Sequence, residues 1–374
     1  MSQASLFTPI CVGPLSLRNR LWMPPMCQYS ADSEGEAVGR PQDYHLIHYG
    51  ARALGGVGAV IVEATGVTLD GRITPHCLAL HDDASIPAFS RLAQAIHAGG
   101  AAAFLQLNHA GRKGSGRVGW STEAGRTPRE QGGWQTVAPS AIPFIPDDPP
   151  SRQLAGGEIN ALIEAFTSAA RRAIEAGFDG IQIHGAHGYL VHQFLSPASN
   201  ERHDKWGGGF SGRTRFLREI VRSVRQSIAD APLLVRLSAT DWTAEYPDDG
   251  RPGWTLKDTQ MLTPLLIEDG VDMLCISTGG NVADADIHYG VGYQVFAAQG
   301  VREALDAAGK ECAVSACGLI RSPEHAEQIL RSGQADVIEI GRPMLTDPML
   351  PHEWRQRLGC DPELPVQYLR GTAR

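Results

Sequence analysis

Residues 157–189 read GEINALIEAFTSAARRAIEAGFDGIQIHGAHGY, and this stretch contains the unit that repeats along the chain. Its first part predicts a helix over Gly157–Ala176, and Gly177 follows at the position where a left-handed residue commonly ends a helix. Its second part is a short apolar run that predicts a buried strand over Gly180–His184. Two histidines and a tyrosine come next, so the stretch also predicts a polar site at the end of the strand.

The same alternation of short apolar runs and helical patterns extends over the whole chain. The predicted strands are Arg20–Met26, Ala59–Ala64, Ala103–Leu107, Gly180–His184, Leu233–Leu237, Met273–Ser277, Ala313–Ala316 and Val337–Ile340. The predicted helices are Tyr44–Leu54, Ala84–Ala98, Gly157–Ala176, Arg213–Ile228, Leu256–Glu268, Tyr293–Ala308, Pro323–Arg331 and Leu350–Leu358. Strands that are apolar on both faces are typical of parallel sheets. Eight such units fit a closed (β/α)8 TIM barrel, an α/β fold, better than an open doubly wound sheet.

Two connections are too long for simple loops. They run over 110–156 and 185–212, after the third and fourth predicted strands. Loops after barrel strands lie on the face where barrel enzymes keep their active sites. We therefore expect both to be active-site walls or lids within one domain, residues 1–374, with a C-terminal tail at 361–374.

Composition and charge speak against several classes of protein. The formal net charge is −8 and no run of Lys and Arg is present, whereas nucleic-acid binding needs clustered cations. The seven cysteines form no CxxC pair, which speaks against a zinc site or an iron–sulfur cluster. Their odd number in a long chain, with no signal-peptide pattern and no apolar run near the roughly 20 residues of a membrane helix, predicts a cytoplasmic protein without membrane association.

The motif His184-Gly185-Ala186-His187-Gly188-Tyr189 is the strongest local signal of chemistry. Two neutral imidazoles can donate hydrogen bonds to one carbonyl or phenolate oxygen, and a nearby tyrosine can give up a proton. Two alternatives stay open at this point. The histidines could be satisfied members of a packed loop, or they could be half of a metal site, although no third ligand stands at a suitable spacing.

The first predicted strand ends in Pro24-Pro25-Met26-Cys27, with Tyr29 close behind. Cys27 could be a redox-active thiol that faces a cofactor. It could equally be a small buried hydrophobic residue, which is the commoner fate of a free cysteine.

Two polar residues interrupt apolar barrel strands. Gln106 lies in FLQLNHAGRK and Arg236 in LLVRLSAT. Such groups are costly to bury without a partner, and a flavin offers one, since Gln can bond its pyrimidine edge and Arg can stabilise negative charge near N1–C2=O. The alternative for each is a structural ion pair or cap.

The last two predicted strands end in Cys317-Gly318-Leu319 and Gly341-Arg342-Pro343. Phosphate sites of TIM barrels are commonly built from these two loops. The glycines let backbone N–H groups approach a phosphate, and Arg342 adds positive charge. Either glycine alone could simply belong to a tight turn.

In this order the motifs resemble the Old Yellow Enzyme family, most closely its thermophilic-like, xenobiotic-reductase class. The resemblance covers nearly the whole chain. It is carried by LFTPI (6–10), LSLRNRLWMPPMCQYS (15–30), VIVEATGVTLDGRITP (60–75), FLQLNHAGRK (104–113), GFDGIQIHGAHGYLVHQFLSPASNERHD (177–204), DVIEIGRPMLTDP (336–348) and PVQYLRG (365–371).

The resemblance implies a flavin-dependent ene-reductase that binds FMN tightly without a covalent bond and uses NADPH or NADH as co-substrate. His184 and His187 would hold the activating oxygen of the substrate, Tyr189 would donate the proton, Cys27 would tune the flavin, and Tyr29 would line the pocket. FMN contacts are implied for Pro24, Pro25, Met26, Cys27, Ala64, Gln106, Arg236, Gly318, Gly341 and Arg342.

The implied substrates are small activated alkenes, α,β-unsaturated carbonyl or nitro compounds. The resemblance also implies a homodimer or homotetramer in which Arg370, in QYLRG, reaches the active site of the neighbouring subunit. For the tail that carries Arg370, the alternative is a frayed terminus.

Three places depart from the family pattern. The loop WGGGFSGR (206–213) replaces the usual Tyr-Gly-Gly-Ser-x-x-Asn-Arg, Tyr44 stands where Trp is common, and EAVGRPQD (36–43) is longer than usual. None of them touches the residues of the expected chemistry, but loop packing and access could differ. Two rival functions remain: a metal-dependent TIM-barrel lyase or hydrolase that uses the His184/His187 pair, and a non-catalytic flavin-binding protein.

Overall fold

Eight parallel strands close into a barrel in the computed structural model, which describes residues 5–123, 125–245 and 250–371. The barrel strands are β1 (Leu21–Met23), β2 (Ala59–Gly66), β3 (Ala102–Asn108), β4 (Gly180–Gly185), β5 (Leu233–Ser238), β6 (Met273–Ser277), β7 (Ala313–Ala316) and β8 (Val337–Glu339). Each strand pairs with its neighbours along the chain, and β8 pairs with β1 to close the barrel. The predicted (β/α)8 barrel is therefore confirmed.

Helices connect the strands and cover the barrel. They are α1 (Asp43–Leu54), α2 (Ile86–Ala98), α3 (Gly156–Glu175), α4 (Leu190–Leu195), α5 (Phe210–Ser227), α6 (Leu256–Glu268), α7 (Val295–Ala307), α8 (Pro323–Arg331), α9 (Arg342–Thr346) and α10 (Leu350–Arg357). The apolar faces of the longer helices pack on the outer faces of the strands in one continuous core.

The sequence missed two short helices, α4 and α9, because five or six residues contain too few turns to show a period. The first strand is shorter than predicted. It ends at Met23, because Pro24 and Pro25 have no N–H group to donate to a neighbouring strand.

The end of the barrel where the strands begin is closed. A hairpin of Ile10–Val12 and Leu15–Leu17 packs against apolar side chains inside the barrel. Among these, the rings of Trp22 and Phe104 stack with centroids 5.7 Å apart. Within the described residues, the barrel interior is therefore open to a ligand at the end where the strands finish.

The two long connections lie at that open end. The first contains single 3-10 turns and a short parallel pair of strands, Val137–Ala138 with Arg152–Gln153. The second contains α4 and leads into α5. Residue 124 of the first connection and residues 372–374 of the tail lie outside the described residues. Among the residues that the structure describes, no helix has the length and apolar character needed to cross a membrane.

Candidate active site

A cavity of about 430 Å³ opens among the C-terminal ends of the strands. Its wall includes the end of the first strand and both of the loops that were expected to bind phosphate. Seven of the residues expected to contact FMN line it, namely Pro24, Pro25, Met26, Arg236, Gly318, Gly341 and Arg342.

An ion pair lies in the wall of this cavity, and only half of it was anticipated. Arg236 donates from Nη1 to Oε2 of Glu339 over 2.8 Å, and both side chains are buried. The second carboxylate oxygen accepts a hydrogen bond from the Ser315 hydroxyl at 2.6 Å. Burial disfavours the charged guanidinium, but the carboxylate of Glu339 more than offsets this and raises the pKa of Arg236. The sequence feature that could have identified Glu339 is a carboxylate within the apolar run VIEI.

Gln106 is also paired, again with a residue that the sequence did not single out. Its Nε2 donates to Oε1 of Gln182 on the adjacent strand over 2.7 Å. Among the described residues, Nε2 of Gln182 and Nε of Arg236 are buried without a hydrogen-bond partner. Buried donors are rarely left unpaired, so this end of the barrel fits a ligand with acceptor atoms, as the pyrimidine edge of a flavin has.

Two glycines keep the cavity wall tightly packed. Gly318 has φ +106°, and a Cβ there would lie 2.9 Å from Cβ of Gln294. A Cβ on Gly341 would lie 3.2 Å from Sδ of Met26. Any larger residue at these positions would push into the cavity or displace its wall.

Three aromatic rings meet above the barrel at the end of β4. The His184 ring lies 5.2 Å from that of His187 and 5.0 Å from that of Tyr189, both edge to face. Nδ1 of His184 accepts a hydrogen bond from the backbone N–H of Ala186 at 3.3 Å. In a neutral imidazole the proton then resides on Nε2, which makes this nitrogen a donor.

The loop that carries these rings is held in a strained conformation. His187 has φ +57°, which is uncommon for a residue with a side chain, and its N–H donates to the Ser238 hydroxyl at 2.9 Å. Gly188 cannot be replaced without a clash, because a Cβ would lie 2.2 Å from the carbonyl oxygen of Gly280. The half-buried ammonium of Lys113 donates to the carbonyls of His187 and Gly280 at 2.8 and 2.9 Å. Strain that the surroundings maintain in this way is typical of functional sites.

Burial sets the protonation states of the three rings. It lowers the pKa of both His184 and His187 well below the usual 6.5, and the charge of Arg236 adds to the effect. Burial likewise raises the pKa of Tyr189 well above its usual 10. Near neutral pH the site therefore presents two neutral imidazoles and a protonated phenol.

Cys27 and Tyr29 lie beside the same tyrosine. Both pack, with Tyr189, against a buried group that includes Ala64 and Cys77. A hydrogen bond with the Cys77 thiol, together with burial, raises the pKa of Cys27 well above 9. Cys27 is therefore a protonated thiol rather than a thiolate.

A buried glutamate fixes the segment that contains these two residues. Glu63 accepts hydrogen bonds from the backbone N–H of Gln28 at 2.8 Å and from the Tyr49 hydroxyl at 3.1 Å. It lies where the pairing of β2 with β3 is irregular, between Val62 and Thr65. Burial raises the pKa of Glu63 from 4.5 to about 8.

We expect Glu63 to make the stability of the protein depend on pH. The folded state holds the proton of the Glu63 carboxyl more tightly than the unfolded state does. The folded state should therefore lose stability as the pH rises from about 4.5 to about 8. The free energies of unfolding of the wild type and of Glu63→Gln, obtained from thermal unfolding across this window, should diverge by several kcal/mol. One pKa unit corresponds to about 1.4 kcal/mol. The exposed Glu164, changed to Gln, is the matched control and should follow the wild type. Parallel curves for Glu63→Gln and the wild type would contradict this expectation.

Most of the predicted site residues thus form one connected group. Arg236 pairs in register with His184, whose ring contacts Tyr189, and Tyr189 packs with Cys27, the residue after Met26 in the cavity wall. Arg370 is the exception. It is exposed in a short helical segment, Val366–Gly371, and residues of the tail line a separate hollow with Leu54 and Ala98, at the closed end of the barrel.

Two of the three places that depart from the family pattern make specific contacts. Trp206 is buried, with its ring 6.4 Å from that of Phe216. The hydroxyl of Tyr44, which stands where Trp is common, donates to Oε1 of Gln28 at 2.9 Å. Tyr44 therefore contacts the residue that follows Cys27. Within the described part of the chain, no group of three or more His, Cys, Asp or Glu residues is arranged to hold a metal ion.

Comparisons with known proteins agree with this geometry. Over residues 5–359 the chain matches the NADH:flavin oxidoreductase / NADH oxidase family. An NADPH dehydrogenase of Geobacillus thermodenitrificans (strain NG80-2) is 42% identical over 368 residues, which cover 98% of both chains.

Solved structures are similar as well. The Old Yellow Enzyme homologue from Zymomonas mobilis has a TM-score of 0.75 and 28% identity, with 97% of this chain and 95% of that chain covered. Morphinone reductase also gives a TM-score of 0.75, at 27% identity, with 97% of this chain and 92% of that chain covered.

Proposed function

The chain belongs to the NADH:flavin oxidoreductase / NADH oxidase family, that of the Old Yellow Enzymes, and on this premise we propose that it is an ene-reductase. It is an FMN-dependent NAD(P)H oxidoreductase and acts as an NADPH dehydrogenase. The electron acceptors that we propose are small α,β-unsaturated carbonyl or nitro compounds, whose carbon–carbon double bond is reduced.

The observation that carries this proposal is the convergence of His184, His187 and Tyr189 at the end of β4, where His184 pairs in register with Arg236 of the cavity wall. Two neutral imidazoles suit a carbonyl or nitro oxygen, since each can donate a hydrogen bond without carrying a charge of its own. Donors fixed in a buried site stabilise the negative charge that develops on such an oxygen far better than water does.

FMN, when bound, supplies the exchange of hydride between the nicotinamide and the alkene. The buried donors of Gln106, Gln182 and Arg236 would bond the acceptors of its ring. Gly318, Gly341 and Arg342 would hold its phosphate, and Pro24, Pro25, Met26 and Ala64 would form the apolar wall.

Each remaining side chain has a distinct part in the reaction. His184 and His187 bind and orient the activating oxygen, and Tyr189 gives its proton to the α-carbon. Burial keeps that proton on the phenol until a basic carbon approaches. Cys27, held as a thiol, and Tyr29 pack beside Tyr189 and shape the pocket, so that Cys27 would influence the flavin through contact rather than as a nucleophile.

We place Arg370 at the active site of a neighbouring subunit, in a homodimer or homotetramer. Its exposed position, away from the cavity of its own chain, leaves it available for that contact. We further propose that the enzyme works in the cytoplasm and that NADPH, or NADH, binds over the same face as the alkene.

The test of the proposed function is the visible absorption spectrum of the purified protein, recorded without oxygen. The protein should be yellow, NADPH should bleach it, and 2-cyclohexenone should then restore the colour. A colourless protein that depends on a divalent metal would favour a lyase or hydrolase instead. A yellow protein that NADPH cannot bleach would favour a non-catalytic flavin carrier.

A further inference from the structure

We propose that Glu339 sets the reduction potential of the bound flavin by neutralising the charge of Arg236, which makes the reduced flavin a stronger hydride donor. The inference rests on the proposed function, because it requires FMN in the cavity. Glu339 acts through Arg236 and is a positioning and tuning residue rather than a catalytic one.

The first support is the geometry of the ion pair. Arg236 on β5 and Glu339 on β8 approach within 2.8 Å, although β6 and β7 lie between their strands. The contact therefore spans the interior of the barrel. The Ser315 hydroxyl on β7 occupies the other carboxylate oxygen at 2.6 Å, so the carboxylate is fixed in place.

The second support is that the pair borders the cavity while being shielded from water. Both residues line the cavity, and their side chains are only 8% and 1% exposed for Arg236 and Glu339. Charges in such a place are weakly screened, so each is felt strongly by a ligand beside it. Arg236 also donates to Sγ of Cys317 at 3.7 Å, while its Nε has no partner within the described chain.

The third support is the cost of this arrangement. A buried ion pair is often no more stable than apolar side chains of similar size, so stability alone does not explain a carboxylate here. Glu339 stands between Ile338 and Ile340 in an otherwise apolar strand end. The carboxylate adds negative charge where the guanidinium of Arg236 borders the cavity.

The electron balance shows the direction of the effect. FMN, when bound, would take up two electrons and one proton as hydride from the reduced nicotinamide, and the added negative charge would reside at N1–C2=O. An unpaired Arg236 would stabilise that anion and raise the potential. The carboxylate of Glu339 opposes this, so the pair approaches neutrality and the potential stays low, which favours passing hydride on to the alkene.

The experiment measures the potential of the FMN-loaded enzyme against a reference dye during slow reduction, with the flavin absorption as readout. In Glu339→Gln, and in Glu339→Met, the ratio of reduced to oxidised flavin at a fixed potential should rise at least tenfold. For a two-electron couple this is an upward shift of about 30 mV. The matched controls are Glu339→Asp, which keeps the charge, and Ser315→Ala, which removes only the hydroxyl. In both controls the ratio of reduced to oxidised flavin at that potential should stay within about threefold of the wild-type ratio.

Sulfite provides a second readout that does not depend on turnover. It adds to oxidised flavin and leaves negative charge at N1–C2=O, so its binding should tighten at least tenfold in the two neutral variants and hardly change in the controls. Unchanged potential and sulfite affinity in variants that retain FMN would overturn the inference, as would an equal shift in Glu339→Asp. If the wild-type protein bound no flavin, the proposed function itself would fail, which is a distinguishable result.

Discussion

Replacing both His184 and His187 by alanine is expected to slow reoxidation of the reduced enzyme by 2-cyclohexenone by at least about 10²-fold, the cost of one lost oxyanion donor in other enzymes. The substrate should also bind more weakly, because its oxygen would lose both partners. The measurement is a single-turnover reaction of pre-reduced enzyme with increasing enone, which separates affinity from rate.

Dioxygen provides the control for this double variant. It accepts electrons from a reduced flavin without needing a hydrogen bond from either imidazole. The rate of reoxidation by dioxygen should therefore change by less than about threefold, far less than the rate loss caused by removing an oxyanion donor. Since burial lowers the pKa of both histidines, enone affinity in the wild type should not change between pH 6 and pH 8 through their titration. Unaltered enone affinity and rate in the double variant would show that the pair does not hold the substrate.

Changing Tyr189 to phenylalanine is expected to slow the same reaction by about 10²–10⁴-fold, the usual contribution of a positioned general acid. The ring, its contact with His184 and its packing against Cys27 would be retained, so substrate affinity should change little. The loss should therefore appear in the rate at saturating enone, while reduction of the enzyme by NADPH continues.

Two comparisons separate proton donation from packing. Tyr293→Phe removes a phenol from the cavity wall that we give no part in proton transfer, and it should react within about threefold of the wild type, well short of a lost general acid. A nitroalkene yields an anion that persists in water, so its reduction should be much less sensitive to Tyr189→Phe than reduction of an enone. Equal losses with both substrates would indicate a disturbed pocket rather than a missing acid.

The sequence singled out candidate site residues where one short segment contains the whole signal. His184, His187 and Tyr189 belong to a single strand end, and Cys27 and Tyr29 to another. The partners that define their chemistry come from distant segments. Lys113, Gln182, Ser238 and Glu339 were not singled out, because their roles depend on contacts that local pattern does not encode.

Arg236 illustrates the difference most clearly. Its presence in an apolar strand predicted either a ligand contact or a structural ion pair or cap, and nothing in the local pattern distinguishes these alternatives. The structure shows the ion pair with Glu339, 103 residues further along the chain, and in the same place shows a cavity beside it. The two interpretations are therefore compatible, which only the closed barrel could reveal.

The sequence by itself determined the alternation of strands and helices, the closed barrel and the segments that carry the candidate site residues. It could do so because backbone period, burial on both faces and helix-ending glycines are properties of consecutive residues. Tertiary structure alone decided which polar groups meet: the ion pair across the barrel, the neutral state of the imidazoles and the lysine beneath their loop. Those features depend on the close approach of segments that lie far apart in the chain and on the exclusion of water between them. Neither condition exists until the barrel has closed.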